Sequence, residues 1–336
     1  MMDTNLDARN YTDLLKHYIA TQDETALYGA EQISKAFIKK NILPEEIVNL
    51  HIQALLEIYP ELHEQIHISM NFLLEAMISY GLAHQEFQQL REKQVELKSE
   101  IHVAASMQQM LLQSEIPKTE ELDIGVISVP ANQMNGDYHH FVKGKDGSIG
   151  IAIADVIGKG IPAALSMSMI KYAMDSFPEN VMATNAILAS LNRVVERNVD
   201  PSMFITMFYA QYKPATGTLY YSSAGHEPGF YYQQQTQEFQ EIEAKGLVLG
   251  VNPTTTYTQY ELQLEKDDMI ILLTDGVTEC RKDGQFIERD EVLEVIRTYM
   301  HLPAQEAVNR VYKHFERLQD FQLRDDFTLV IVKKVV

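Results

Sequence analysis

The run Ile149-Gly150-Ile151-Ala152-Ile153-Ala154 is apolar throughout and ends in Asp155, followed by the turn Val156-Ile157-Gly158-Lys159-Gly160. It reads as a buried strand. Such a strand does not end in a bare carboxylate without cost, because an unpaired buried charge costs several kcal/mol. A second carboxylate, Asp137, stands beside another glycine in Met134-Asn135-Gly136-Asp137-Tyr138. Something positive belongs next to these groups. A hard divalent cation held by oxygen ligands is one candidate. A plain turn-capping aspartate is the other.

Length and charge narrow the classes. A chain of 336 residues suggests two domains or one large one. The formal net charge of −19 argues against nucleic acid and anionic membranes as partners, since both need clustered cations. No uninterrupted apolar run approaches the roughly 18 residues that span a bilayer. The start, Met1 to Asp7, lacks the basic and apolar regions of a signal peptide. A single cysteine, Cys280, excludes an internal disulfide and fits a reducing cytoplasm.

The first 84 residues carry apolar positions at helical spacing, as at Leu14, Leu15, Tyr18 and Ile19, then Ile33, Phe37 and Ile38. Pro44 and Pro60, each followed by acids, read as helix starts. Four short helices in a small bundle are expected, with Met70–Leu82 a buried helix or a dimer seam. Residues 85–119 form a linker whose helix covers 85–113. Along it Phe87, Leu90, Gln94, Leu97, Ile101, Ala104, Gln108 and Leu111 follow heptad spacing. Two glutamines weaken that seam, so it predicts a marginal, switchable coiled coil and a homodimer; an amphipathic helix packed on its own domain is the other reading. Pro117 ends the helix.

From residue 120 to 336 strands surround two helix pairs, about 159–176 with 183–198 and 288–300 with 303–318. Strands are expected over 124–129, 138–142, 149–154, 203–212, 219–222, 230–232, 258–264, 269–274 and 327–332. The expected fold class is α+β, with helices outside two sheets.

Four acidic points share one local form, an Asp at a strand end or turn: Asp137, Asp155, Asp275 and Asp325-Asp326. Carboxylates brought together repel one another unless cations intervene. Two Mg²⁺ or Mn²⁺ ions remove that penalty, activate water and stabilise in-line displacement at phosphorus. Each aspartate alone is a weak signal; four in this order are a strong one.

The motifs Gly136-Asp137-Tyr138, Asp155-Val156-Ile157-Gly158-Lys159-Gly160, Ala224-Gly225-His226-Glu227-Pro228, Asp275-Gly276-Val277-Thr278-Glu279 and Asp325-Asp326-Phe327-Thr328 come in the order found in PP2C-type serine/threonine phosphatases. The chain resembles their bacterial branch, which contains the sporulation phosphatase SpoIIE. The helical front and linker extend the resemblance over the whole chain, to the members that act in general-stress regulation. It implies a PP2C-like αββα sandwich and a metal-dependent phosphoprotein phosphatase using Mn²⁺ or Mg²⁺, two ions in all. It further implies a phosphorylated anti-anti-sigma factor as substrate and a kinase-homologue activator bound by the N-terminal bundle. By the same resemblance Asp155 bridges both metals and the Val156 carbonyl binds the first. Asp275 and Asp325 bind the second, while Asp137 is a ligand or orients water at the metals. Asp326, Gly158, Gly160, Gly276 and His226 are expected behind the ligands or near the phosphate. The paired helices after Gly160 are expected beside the site. The arginine that orients phosphate in eukaryotic members has no counterpart here.

Other residues admit blander readings. His226 is a general-acid candidate or a loop brace. His139 and His140 alternate on a strand, cannot both face one ion, and read as surface residues. Cys280 lacks a histidine partner and reads as packing. Gly158-Lys159-Gly160-Ile161-Pro162-Ala163 fits a dinucleotide pattern, but its neighbours read as antiparallel strands and Asp155 would repel a pyrophosphate. Rival functions are a silent pseudophosphatase that sequesters a partner, and a two-metal nuclease or phosphodiesterase. The latter needs a basic groove that the charge disfavours.

Overall fold

The computed structural model describes residues 2–40, 42–158, 160–177, 182–200, 203–282, 285–319, 321 and 323–336. Lys159 of the glycine turn therefore lies outside the described residues. The chain separates into two units, Met1–Lys98 and Ser99–Val336.

The first unit is helical. α1 spans Met2–Thr21, α2 Glu24–Lys39 and α3 Pro44–Ile58. Asp23 caps α2 by accepting the Thr25 N–H at 3.1 Å. Pro44 opens α3, with Glu45 and Glu46 in its first turn. Among the described residues Phe37, Ala26, Ile52 and Ala54 are buried apolar side chains, and Tyr11 Oη lies 2.9 Å from His51 Nδ1.

α4 spans Glu64–Leu112 without interruption and crosses the boundary between the units. The expected fourth short helix and linker helix are thus one element. Nothing in Ala83-His84-Gln85-Glu86 breaks a helix. Pro60 is not its start: Pro60 and Glu61 lie in a turn, and the first α4 amides close onto the His63 carbonyl. α4 also contains an 18-residue window of mean hydropathy 1.2, long and apolar enough by length and composition to cross a bilayer. Reading uninterrupted apolar runs missed it, because Asn71 and Glu75 divide the stretch.

The second unit carries β1 (Leu122–Val129), β2 (Asp137–Lys143), β3 (Ile149–Val156), α5 (Ile161–Ser176) and α6 (Thr184–Asn198). They are followed by β4 (Ile205–Lys213), β5 (Thr218–Ala224), β6 (Gly229–Gln233), β7 (Glu238–Ile242), β8 (Tyr260–Gln263) and β9 (Met269–Leu273). The single turn α7 (Asp275–Thr278) precedes the short hairpin β10 (Arg281–Lys282) and β11 (Gln285–Phe286). α8 (Arg289–Tyr299), α9 (Ala304–Leu318) and β12 (Phe327–Lys334) complete it. The strands form two five-stranded antiparallel sheets, ordered β1-β12-β9-β6-β7 and β2-β3-β4-β5-β8.

Three apolar layers result, as an αββα sandwich requires. Ile149, Ile151 and Ile153 of β3 meet Val330 and Val332 of β12 between the sheets. The alternate residues Ala152 and Ala154 face Met167, Ile170, Leu188 and Leu191 of the α5–α6 pair. Phe327, Leu329 and Ile331 face Val308, Val311 and Phe315 of α9, with Val292 and Ile296 of α8. The run that ends in Asp155 is apolar throughout because both of its faces are covered.

Two joints set how closely α9 approaches β1. Asp123 accepts the Ala304 N–H at 2.8 Å, and Gly125 leaves room for the first turn. A Cβ at Gly125 would lie 2.3 Å from the Ala304 carbonyl carbon. Gly125→Ala is therefore expected to destabilise the second unit by about 1–3 kcal/mol. Urea denaturation followed on the isolated wild-type and variant chains checks this; an unchanged midpoint would show that α9 shifts freely.

Candidate metal centre

Both sheets deliver aspartates to the same end of the sandwich. Asp137 opens β2 and Asp155 closes β3, and the two are direct cross-strand partners. Like charges in that relation destabilise a sheet. From the other sheet, Asp275 begins α7 immediately after β9, and Asp325-Asp326 immediately precedes β12. Asp155, Asp275, Asp325 and Asp326 line one cavity of about 810 Å³ with Val156, Gly136, Gly158 and Gly160. Ile101 of α4 lines it too.

Asp137 lies beneath this cavity rather than on its wall and is 2% exposed. Thr274 Oγ1 donates to its Oδ2 at 2.7 Å, and the Thr328 hydroxyl also reaches it. Burial, then Asp155, then Asp326 push its carboxyl well above the usual range, against the pull of the two hydroxyls. Burial and the neighbouring Asp325 push Asp275 up to about 6, with Glu279 and Glu227 adding to the shift. Asp326 has a different task. Its Oδ1 accepts the Ala131 N–H at 2.7 Å and its Oδ2 the Gly136 N–H at 2.5 Å, so it staples the loop before β2. Asp325 Oδ1 accepts the Asp326 N–H at 3.0 Å.

The glycines fit the same economy of space. Gly158 (φ 147°) and Gly160 (φ 75°) take backbone angles that side chains disfavour, and so turn the chain under Asp155. A Cβ on Gly136 would point among Asp326 Oδ2, Asp155 Oδ1 and the Gly158 carbonyl, at 3.2–3.7 Å. Among the described residues no three His, Cys, Asp or Glu side chains form a ready-made cage. The carboxylates share a cavity without closing on one another, as repelling charges do. Their donor set is wholly carboxylate and carbonyl oxygen, which fits Mg²⁺ or Mn²⁺ and not a soft metal.

His226 is buried, and its Nδ1 lies 2.9 Å from Thr206 Oγ1. Thr206 is the β4 partner of Asp155 and reaches the Asp155 carbonyl at 3.4 Å. Burial lowers the imidazole to about 4, so it is neutral and does not line the cavity. Its geometry is that of a brace behind Asp155, not of an acid facing a leaving group.

His139 and His140 do alternate, and neither lines the aspartate cavity. His140 is not a surface residue, however, and His139 is half-buried. His140 is 7% exposed, stacks on Tyr138 and has Nε2 3.4 Å from Asp175. Burial pushes His139 down to about 4. The cause is that β2, although an edge strand, is covered: α5 packs on it and Ser114 Oγ accepts the Phe141 N–H at 3.0 Å. Cys280 is buried with its thiol pushed up to about 12, donating to the Gly276 carbonyl and accepting from Gln319. The glycine turn follows a strand paired antiparallel on both sides, so no βαβ nucleotide unit exists there.

Sequence reading missed the hydroxyls. Thr274 directly precedes Asp275, and Thr328 ends the Asp325-Asp326-Phe327-Thr328 motif, so closeness to the aspartates is the signal that marks them. It also missed Arg289, which shares a second cleft with Asp275 and is held by Glu227 at 2.6 Å and Glu241 at 2.9 Å.

Residues 145–335 match the family described as Stage II sporulation protein E (SpoIIE), and residues 9–83 match the N-terminal domain of phosphoserine phosphatase RsbU. Phosphoserine phosphatase RsbU of Bacillus subtilis (strain 168) is 55% identical over 328 residues, 98% of each chain. The chain belongs to the RsbU family of phosphoserine phosphatases. Its fold agrees with solved PP2C structures. The SiaA-PP2C domain of Pseudomonas aeruginosa aligns with TM-score 0.62 at 18% identity, over 72% of this chain and 98% of that one. The PP2C phosphatase domain of SpoIIE from Bacillus subtilis aligns with TM-score 0.52 at 18% identity, over 64% of each chain. RsbU-family membership makes this chain a metal-dependent phosphoprotein phosphatase.

The raised Asp275 carboxyl fixes a pH dependence. Without dications the folded chain holds this proton more tightly than the unfolded chain. Its contribution to stability is therefore fully present below about pH 4, the unfolded value, and is lost as pH rises through about 6. Asp275→Asn is expected to flatten that fall and to stabilise the chelator-treated protein at pH 7. Urea denaturation in chelator between pH 4 and 7 checks it; the same slope in both proteins refutes it.

Proposed function

We propose that this chain dephosphorylates a serine of an RsbV-like anti-anti-sigma factor, freeing it to activate the general-stress factor sigma-B. The observation that carries this reading is the shared cavity of Asp155, Asp275 and Asp325, with Asp137 buried beneath it. Asp155 and the Val156 carbonyl would hold a first dication, and Asp155, Asp275 and Asp325 a second, Mn²⁺ or Mg²⁺. When bound, such a pair supplies a nucleophile from water near neutral pH and neutralises charge on the phosphoryl oxygens. Water adds to phosphorus, the bond from phosphorus to the serine oxygen breaks, and that oxygen leaves with a proton. The chain's part is to fix the carboxylates. Thr274 and Thr328 hold Asp137, Asp326 holds the loop, and His226 through Thr206 backs Asp155.

The N-terminal helices form the docking unit for an RsbT-like kinase-homologue activator, supported by the match of residues 9–83 to the N-terminal domain of RsbU. Phe87, Leu90 and Leu97 of α4 are exposed at heptad spacing and supply a seam for a homodimer that the activator tightens. A seam near balance is tipped by a few kcal/mol. The cytoplasm is the compartment, in keeping with a lone buried thiol.

Two assays test the reading. Asp155→Asn is expected to lower dephosphorylation of a phosphorylated anti-anti-sigma protein by at least about 100-fold, and chelator to abolish the wild-type activity until Mn²⁺ is restored. Phosphate release unaffected by either would overturn the metal assignment. Gln94→Leu, at the exposed seam, is expected to raise activity without activator severalfold and to promote dimers in sedimentation. No change in either would remove the seam from the switch.

A further inference from the structure

We propose that Gln108 of α4 is a positioning residue of the active site, clasping the loop that carries Asp137 and is stapled by Asp326. The inference rests on the metal-centre reading above. Heptad spacing places Gln108 in the seam with Leu97 and Ile101. The structure turns it inward: Gln108 is 5% exposed, whereas Leu97 is 55% exposed.

The contacts are reciprocal. Gln108 Nε2 donates to the Asn135 carbonyl at 2.6 Å, and the Asn135 N–H donates to Gln108 Oε1 at 3.0 Å. One amide side chain thus satisfies both backbone groups of one loop residue, as a strand partner would. Asn135 then passes the constraint on. Its Oδ1 accepts the Asp137 N–H at 3.0 Å, and its Nδ2 donates to Ser128 Oγ at 2.9 Å. Ser128 Oγ lies 2.8 Å from Thr328 Oγ1, the hydroxyl that also reaches Asp137. The next residue, Gly136, donates to Asp326 Oδ2, and its carbonyl accepts the Val156 N–H at 3.2 Å. The network therefore runs from a helix side chain to the backbone on both sides of the Asp137–Asp155 pair.

Only a primary amide of this length does the work, since donor and acceptor must face one peptide together. A carboxylate would accept from Asn135 N–H but repel its carbonyl, and an apolar residue would orphan both groups. While the two bonds hold, residue 108 cannot also face a second copy of the chain. The functional seam therefore ends before it.

The test uses the full chain with Gln108→Met, which keeps the length and flexibility of the side chain, and Gln108→Leu. Mn²⁺ binding is measured by calorimetry, amide exchange at 135–137 by mass spectrometry, and folding by thermal melting. Both variants are expected to bind Mn²⁺ about tenfold more weakly and to exchange the 135–137 amides about tenfold faster, the scale of two lost hydrogen bonds. Their melting is expected to stay cooperative. Folded Gln108→Met with wild-type affinity and wild-type exchange overturns the clasp. So does tighter self-association with unchanged Mn²⁺ affinity, the result a seam residue gives. If the wild type binds no Mn²⁺, the metal reading fails separately and the exchange rates alone decide the clasp.

Discussion

The structure depends on tolerating two carboxylates directly opposite each other on adjacent strands. Asp137 and Asp155 are cross-strand partners at the start of β2 and the end of β3. Left alone, that pair would favour protonation or separation. The surrounding residues oppose separation more than charge. Two hydroxyls engage Asp137, a glycine turn carries the chain away from Asp155, and backbone N–H groups absorb Asp326. The repulsion is thus held in place, leaving a cavity whose most favourable occupant is a dication.

The two-sheet architecture explains why this takes so much chain. Asp137 and Asp155 belong to one sheet, while Asp275 and Asp325 adjoin the ends of the interior strands β9 and β12 of the other. Neither sheet holds a complete set. The distance between the halves is set by the apolar layer of Ile151, Ile153, Val330 and Val332, and by hydroxyl bridges such as Thr274 to Asp137. Close packing in that layer resists small displacements. The layer accordingly helps to shape the aspartate cavity, although no residue in it lines that cavity.

The apolar run to Asp155 read as a buried strand, and the strand is covered on both faces. The aspartates are legible through their order and their places at strand ends and turns, with glycines beside Asp137 and Asp275, because turn chemistry is local. What could not be read locally was partnership. His139 and His140 looked like surface residues because alternation says nothing about what covers an edge strand. Thr274 and Thr328 looked like ordinary strand residues because a hydroxyl gains its role only from a carboxylate over a hundred residues away. β7 went unread for a similar reason: Glu238-Phe239-Gln240-Glu241-Ile242 is mostly polar and becomes a strand by pairing with β6.

Gln108 shows how one pattern can serve two surfaces. Heptad spacing fixes which residues share a helix face, not what that face meets. Along α4 the seam residues Phe87, Leu90 and Leu97 are exposed, while Ile101, Ala104 and Gln108 are partly or fully covered in the catalytic unit. Polarity distinguishes the two stretches. A glutamine weakens an apolar seam, yet in the covered stretch its amide pairs with both backbone groups of the half-buried Asn135. Gln94 is exposed. The same residue type is therefore exposed at one position and a structural bond at the other, and the difference lies in the loop that Gln108 meets.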